Sequence, residues 1–147
     1  MDGKGFSHAI VYGPEPLSPD EDIFGHYAFD TTLTAIHISR RNGKPSGLLQ
    51  AFYPDGSLLI RAVYGWGSLH GDWTEYDEDG VITVKGQYRD GLRDGRWTFR
   101  KDGIRARYRK GLKHGKWKYY DGKTITKVEK YFKGELKQGG TFLFKNR

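Results

Sequence analysis

A short glycine-led phrase that returns at a nearly fixed interval constrains this chain more than any other feature. Its copies read GLLQAFYPDG from Gly47, GDWTEYDEDG from Gly71, GRWTFRKDG from Gly95 and GKWKYYDG from Gly115, and Gly139 opens a truncated one. Successive openings lie 24, 24, 20 and 24 residues apart. Between copies the chain turns through YGWGSLHG, YRDGLRDG and YRKGLKHG, which begin at Tyr64, Tyr88 and Tyr108. A period of this size marks an array of small units that bury their faces against one another, and it argues against a single wrapped core.

Local chemistry makes each unit a hairpin. Asp55-Gly56, Asp79-Gly80, Asp102-Gly103 and Asp121-Gly122 each separate two runs rich in β-branched and aromatic residues, such as SLLIRAVY and VITVKGQY. Asp-Gly is expected to supply the positive φ angles that tight hairpin turns need. Aromatics at 15% and 21 glycines suit short ring-bearing strands, and no stretch shows sustained helical periodicity. The expectation is an all-β fold: tandem hairpins joined into one elongated, twisted antiparallel sheet. Residues 1–24, with Pro14, Pro16, Pro19 and the cluster Asp20-Glu21-Asp22, read as an acidic tail or linker in which Ala9–Tyr12 can add one strand. The array is expected over 25–147, in units near 25–46, 47–70, 71–94, 95–114, 115–138 and a partial 139–147. Tyr27 would stand where later copies have Leu49, Trp73, Trp97 and Trp117.

Strand alternation then assigns faces. Trp97, Phe99, Ile104, Ala106, Tyr108, Trp117 and Tyr119 fall on one side. Arg96, Arg100, Arg105, Arg107, Arg109, Lys116 and Lys118 fall on the other, so a basic plate opposes an aromatic face. In the Gly71 copy, Trp73 and Tyr76 need a bulge to share a side. Trp66 lies off the repeat pattern and is expected to be exposed, as a hot spot for a partner. The formal charge of +7 is unevenly spread: residues 1–84 hold 5 basic and 12 acidic side chains, residues 85–147 hold 20 and 6. The acidic leader is free to fold onto a basic end, its own or a neighbour's.

The recurring G-x-W-x-x-Y-x-x-x-G followed by Y-x-x-G-x-x-x-G resembles MORN repeats, and in particular the bacterial variant of the YwqK antitoxin family. The residues behind that resemblance are Gly71/Trp73/Tyr76/Gly80, Gly95/Trp97/Gly103, Gly115/Trp117/Tyr120/Gly122 and the linking Tyr88/Gly91 and Tyr108/Gly111, with His70-Gly71 and His114-Gly115 at the steps between units. Two departures stand out: the Gly95 unit is four residues short, and Arg100 replaces the ring found at Phe52, Tyr76 and Tyr120. The resemblance implies a binding scaffold that makes protein contacts, sometimes proposed to touch anionic lipid and in bacteria often paired with a toxin. It implies no active site.

Residues that look catalytic read as turn chemistry. His70 and His114 occupy equivalent turn positions, and none of the five histidines has a metal-site partner spacing. The aspartates before glycine sit where Asp favours turns, and the glycine steps lack the spacing, the Ser or Thr and the helix of a phosphate loop. No cofactor or metal is expected. With no cysteine and no secretory signal, a cytoplasmic protein is expected. The function expected is a non-catalytic protein-binding module, of the antitoxin or immunity kind. Its contacts would be Trp66, Arg96, Arg100, Arg105, Arg107, Arg109, Lys116 and Lys118, meeting an acidic protein. Homodimerisation through the sheet face or edge is open. The alternative is an anionic surface, acidic lipid headgroups or nucleic acid. Nucleic-acid readers usually combine rings and cations on one face, and here these are expected apart.

Overall fold

The structure, a computed structural model, describes residues 8–13, 16 and 18–141. Pro14 of the leader and residues 142–147 of the partial last unit lie outside the described residues. The strands are β1 (Ile10–Tyr12), β2 (Ile23–Tyr27), β3 (Asp30–Arg41), β4 (Lys44–Phe52), β5 (Leu58–Gly65), β6 (Ser68–Tyr76) and β7 (Ile82–Arg89). They continue as β8 (Leu92–Phe99), β9 (Ile104–Arg109), β10 (Leu112–Lys113), β11 (Gly115–Asp121), β12 (Thr124–Phe132) and β13 (Glu135–Thr141). All pair antiparallel in chain order to form one open sheet, so each hairpin joins the next and the expected all-β array is what forms. Strands β10 and β11 both pair with β9 and are a single strand interrupted at His114, whose N–H still donates to the Arg107 carbonyl at 3.0 Å.

Two turn chemistries alternate along the two long sides. On one side the tips are Asn42-Gly43, Trp66-Gly67, Asp90-Gly91, Lys110-Gly111 and Lys133-Gly134, and both residues of each have positive φ. That is the two-residue, primed hairpin turn. Opposite them, at Asp55-Gly56, Asp79-Gly80 and Asp102-Gly103, only the glycine has positive φ. The N–H groups of Gly56, Gly80 and Gly103 donate three residues back, to the carbonyls of Tyr53, Asp77 and Arg100, which makes three-residue loops ending in a left-handed glycine. This corrects the sequence expectation: these aspartates do not adopt positive φ. In the first of these loops Asp55 serves through its carboxylate, which accepts from the Ser57 N–H and hydroxyl.

The primed tips interlock. The N–H groups of Gly43, Gly67, Gly91, Gly111 and Gly134 donate at 2.8–2.9 Å to the carbonyls of Pro19, Pro45, Leu69, Arg93 and Lys113 respectively. One residue beyond four of those carbonyls, a side chain accepts from the N–H of the next tip. Asp20 takes Asn42, His70 takes Asp90, Asp94 takes Lys110 and His114 takes Lys133. His70 and His114 are therefore turn caps, and Asp20 in the leader does the same work. Among the described residues, Asp20 and Asp22 of the leader bond at their own end of the sheet and not at the basic end. Asp22 meets His37 at 2.8 Å, and the Ser18 and Glu21 carbonyls accept from Arg40, which holds the leader against β3. Trp66 is also relocated: it is a regular member of the tip row, equivalent to Asn42 and Asp90, and not off the pattern.

Where the units differ in core, they keep the same frame. Gly47, Gly71, Gly95 and Gly115 face Tyr64, Tyr88, Tyr108 and Tyr131 across the sheet. The register shifts before Phe52, Tyr76 and Tyr120, but the extra residue lies on the facing strand each time, at Leu59, Thr83 and Thr126. Strand β6 therefore alternates without interruption and, contrary to expectation, Trp73 and Tyr76 fall on opposite sides. The short unit runs from Gly95↔Tyr108 to Phe99↔Ile104 with no shift. From β6 to β12 the rings of Trp73, Tyr88, Trp97, Tyr108, Trp117 and Tyr131 meet edge-on in sequence, with centroids 5.1–6.2 Å apart. Edge-to-face contacts of this geometry add about 0.5–1.5 kcal/mol beyond burial. The spine fits because small residues flank it. Trp73 pairs with Ala62 and Gly86, and Trp97 pairs with Ala106. A Cβ on Gly86 would lie 2.0 Å from the Trp97 ring. Trp97 and Trp117 donate their indole N–H to the Gln87 and Arg107 carbonyls. In the first half Ala51, Tyr53, Leu59, Ile60 and Ala62 form the core instead. Tyr27 differs from expectation there. Its hydroxyl donates to the Phe52 carbonyl as that of Tyr53 does to Tyr76, so it matches Tyr53 and not Leu49 or Trp73.

Candidate functional site

The face opposite the ring spine, on β8, β9 and β11, is built by alternation. Burying Trp97, Ala106 and Trp117 forces Arg96 and Thr98, Arg105 and Arg107, and Lys116 and Lys118 to the other side. Register then sets like charges against each other: Arg96 faces Arg107, Arg105 faces Lys118, and Lys116 faces Lys130. Arg96, Arg105, Arg107, Lys116 and Lys118 line one open depression of about 740 Å³, and no carboxylate shares its lining. Gly115 is what lets Arg107 lie flat, since a Cβ there would come within 2.9 Å of the Arg107 Cδ. Arg105 is held over the Tyr120 ring at 5.0 Å.

Five of the seven expected cations thus converge, and two do not. Arg100 sits in the turn after β8, its N–H donating to the Thr83 carbonyl, because the missing bulge ends the strand one residue earlier. Arg109 pairs with Leu112 beside the Lys110-Gly111 tip. Trp66 belongs to the β5–β6 tip. Lys85, opposite Thr98, and Lys130, opposite Lys116, extend the same face. Alternation along VITVKGQY and KTITKVEKYF carried the signal for both.

Cations are not confined to this side, contrary to expectation. The Arg93 guanidinium lies 4.7 Å from the centre of Trp97 and donates to the Tyr108 hydroxyl, and Lys113 lies 4.4 Å from Trp117. Lys127 covers Tyr119. The charged heads themselves sit over the rings, so the aromatic face is partly covered by cations. At the far end Glu129 accepts from the hydroxyls of Tyr119 (2.7 Å) and Tyr131 (3.1 Å). The Tyr119 hydrogen bond holds that carboxyl below its usual range, while burial first and Glu129 second push the Tyr119 hydroxyl up. The three groups lock the last rings of the spine. Among the described residues no group of three or more His, Cys, Asp or Glu side chains could hold a metal ion.

Residues 69–90 match a family model described as a MORN repeat variant. The match runs from Leu69, whose carbonyl anchors one tip, to Asp90 on that tip, and so spans one period of the array. It supports a MORN-type repeat identity. No curated protein matches the chain.

Proposed function

We propose that this protein is a non-catalytic, protein-binding repeat module whose basic face takes an acidic protein surface. The observation behind this reading is the set of opposed pairs Arg96/Arg107, Arg105/Lys118 and Lys116/Lys130. Like charges directly opposite destabilise a sheet, and this face contains three such pairs with no carboxylate in the depression between them. A partner rich in Asp and Glu removes the repulsion and gains charge-assisted hydrogen bonds. A toxin-neutralising role in the cytoplasm, of the YwqK kind, is the specific form of this reading, and it rests on the sequence resemblance.

The test is affinity capture from the native host with the wild-type chain, an Arg96→Glu/Arg105→Glu/Arg107→Glu variant and an Arg109→Glu control. The triple variant should lose an acidic partner that Arg109→Glu retains; equal capture by all three would sink the assignment. A second reading, an anionic lipid or nucleic-acid surface, is favoured by Tyr120 lying beneath Arg105 on the same face. Sedimentation with acidic vesicles and gel shift across a salt series separate it, since that binding must weaken steeply with salt.

A further inference from the structure

Trp66 is the one large ring in the tip row. Its backbone has φ 54°, in the left-handed region where Asn, Asp or Gly is expected and a bulky side chain is strained. Trp66 is 76% exposed, and among the described residues no ring contact, cation contact or indole hydrogen bond is made to it. Its chain neighbours, Gly65 and Gly67, carry no side chain to cover it. Around this knob the charge is mostly positive. Lys44 of the preceding tip packs against Gly67, Arg41 pairs with Lys44, and Arg89 lies on the following tip beside Asp90, which is itself 3.6 Å from His70.

The complementary shape is present in the same chain. An open hollow of about 350 Å³ lies over β2–β4, lined chiefly by Phe24, Leu33, Phe52 and Pro54. That volume is within the range of sites that hold a bound group. Three carboxylates adjoin its lining residues. Asp55 lies between the lining residues Pro54 and Gly56, Asp30 holds Thr32 of the lining, and Asp22 holds His37 of the lining. We infer that Trp66 of one copy seats in the Phe24–Leu33–Phe52–Pro54 hollow of a second copy, with Arg41, Lys44 and Arg89 meeting Asp22, Asp30 and Asp55. A buried aromatic anchor ringed by opposite charges is the usual form of an interface hot spot. This contact does not use the basic face of β8–β11, so it stands or falls separately from the function proposed above.

Sedimentation velocity on the full chain tests it, with Trp66→Asn as the first variant. Asn is the residue that the equivalent tip at Asn42 already uses, so the variant keeps its fold. The wild type should self-associate, and more weakly as salt rises, while Trp66→Asn should be monomeric and melt at a higher temperature when both are compared as monomers. Thr34→Trp, which fills the hollow, should also be monomeric. Mixing the two variants should restore a heterodimer, because one supplies an intact hollow and the other an intact Trp66. A monomeric wild type, a Trp66→Asn protein that associates as wild type does, or a mixture that stays monomeric would each overturn the inference.

Discussion

The two halves of the sheet follow the same backbone rules and solve burial differently. Before β6 the core is aliphatic and small: Ala51, Leu59, Ile60 and Ala62 around the Tyr53 ring, whose hydroxyl spans to the Tyr76 carbonyl. From β6 onward the core is a line of rings, each touching the next, with Arg93, Lys113 and Lys127 laid over it. Of the 25 basic side chains 20 belong to the second part, which also holds 11 of the 18 acidic ones. The difference shows that in a one-layer array the cover is made by cationic side chains as much as by packing partners. A ring spine can recruit cations as its cover, because cations are attracted to ring faces. An aliphatic core gains nothing comparable.

Breaking the spine should have the largest effect. Trp97→Ala removes a ring that is 1% exposed and touches two tyrosines, and should cost about 3–5 kcal/mol. In an array stabilised by nearest-neighbour contacts, the loss should fall on β7–β11 and leave amide protection in β3–β5 largely intact. Leu59→Ala should give the opposite map in hydrogen exchange. A uniform loss of protection in both variants would mean that the halves unfold as one unit and that the contrast has no energetic content.

Gly86→Ala comes next. The added methyl collides with the Trp97 ring at 2.0 Å, and overpacking of this kind costs about 1–3 kcal/mol in a denaturant titration. Tyr53→Phe probes the other half by deleting one hydrogen bond to the Tyr76 carbonyl, for about 1 kcal/mol. Arg107→Thr should raise stability at low ionic strength by a few tenths of a kcal/mol, because it relieves the Arg96/Arg107 repulsion, and that gain should vanish in high salt.

Acid titration sharpens the contrast at the smallest scale. Glu129 has its folded carboxyl held below the usual range by Tyr119, so its contribution is complete above the unfolded value and is lost as pH falls through the folded one. Asp55 follows the same sign in the first half, through the Ser57 hydroxyl and N–H. Glu129→Gln should flatten the acid dependence of near-ultraviolet circular dichroism, which reports the spine, whereas Asp55→Asn should leave that signal's dependence unchanged.

Much of this architecture was readable from local pattern. Gly71 and Trp73 announced a unit and its period, because each reflects a backbone need or a burial need that recurs, whereas the bulge expected between Trp73 and Tyr76 falls on the facing strand. The convergence of Arg96, Arg105, Arg107, Lys116 and Lys118 was also legible, since alternation on adjacent strands fixes a shared face. Arg100 and Arg109 were not excluded by the same rule, because strand ends depend on where a bulge falls. The cations over the rings escaped notice for a different reason: alternation says which side Arg93 is on, but not that its guanidinium will lie over Trp97.

By itself, then, the sequence determined the hairpin array, the period of its glycines and rings, and the two-sided character of its second half, because these follow from short-range stereochemistry repeated many times. Only the tertiary structure decided which carbonyl anchors each tip, that Asp20 joins the cap row with His70 and His114, and that Trp66, expected to be exposed, takes a regular tip position with a left-handed backbone. Those outcomes depend on register between strands some twenty residues apart. Register is a property of neighbouring units in contact, and no single unit encodes it.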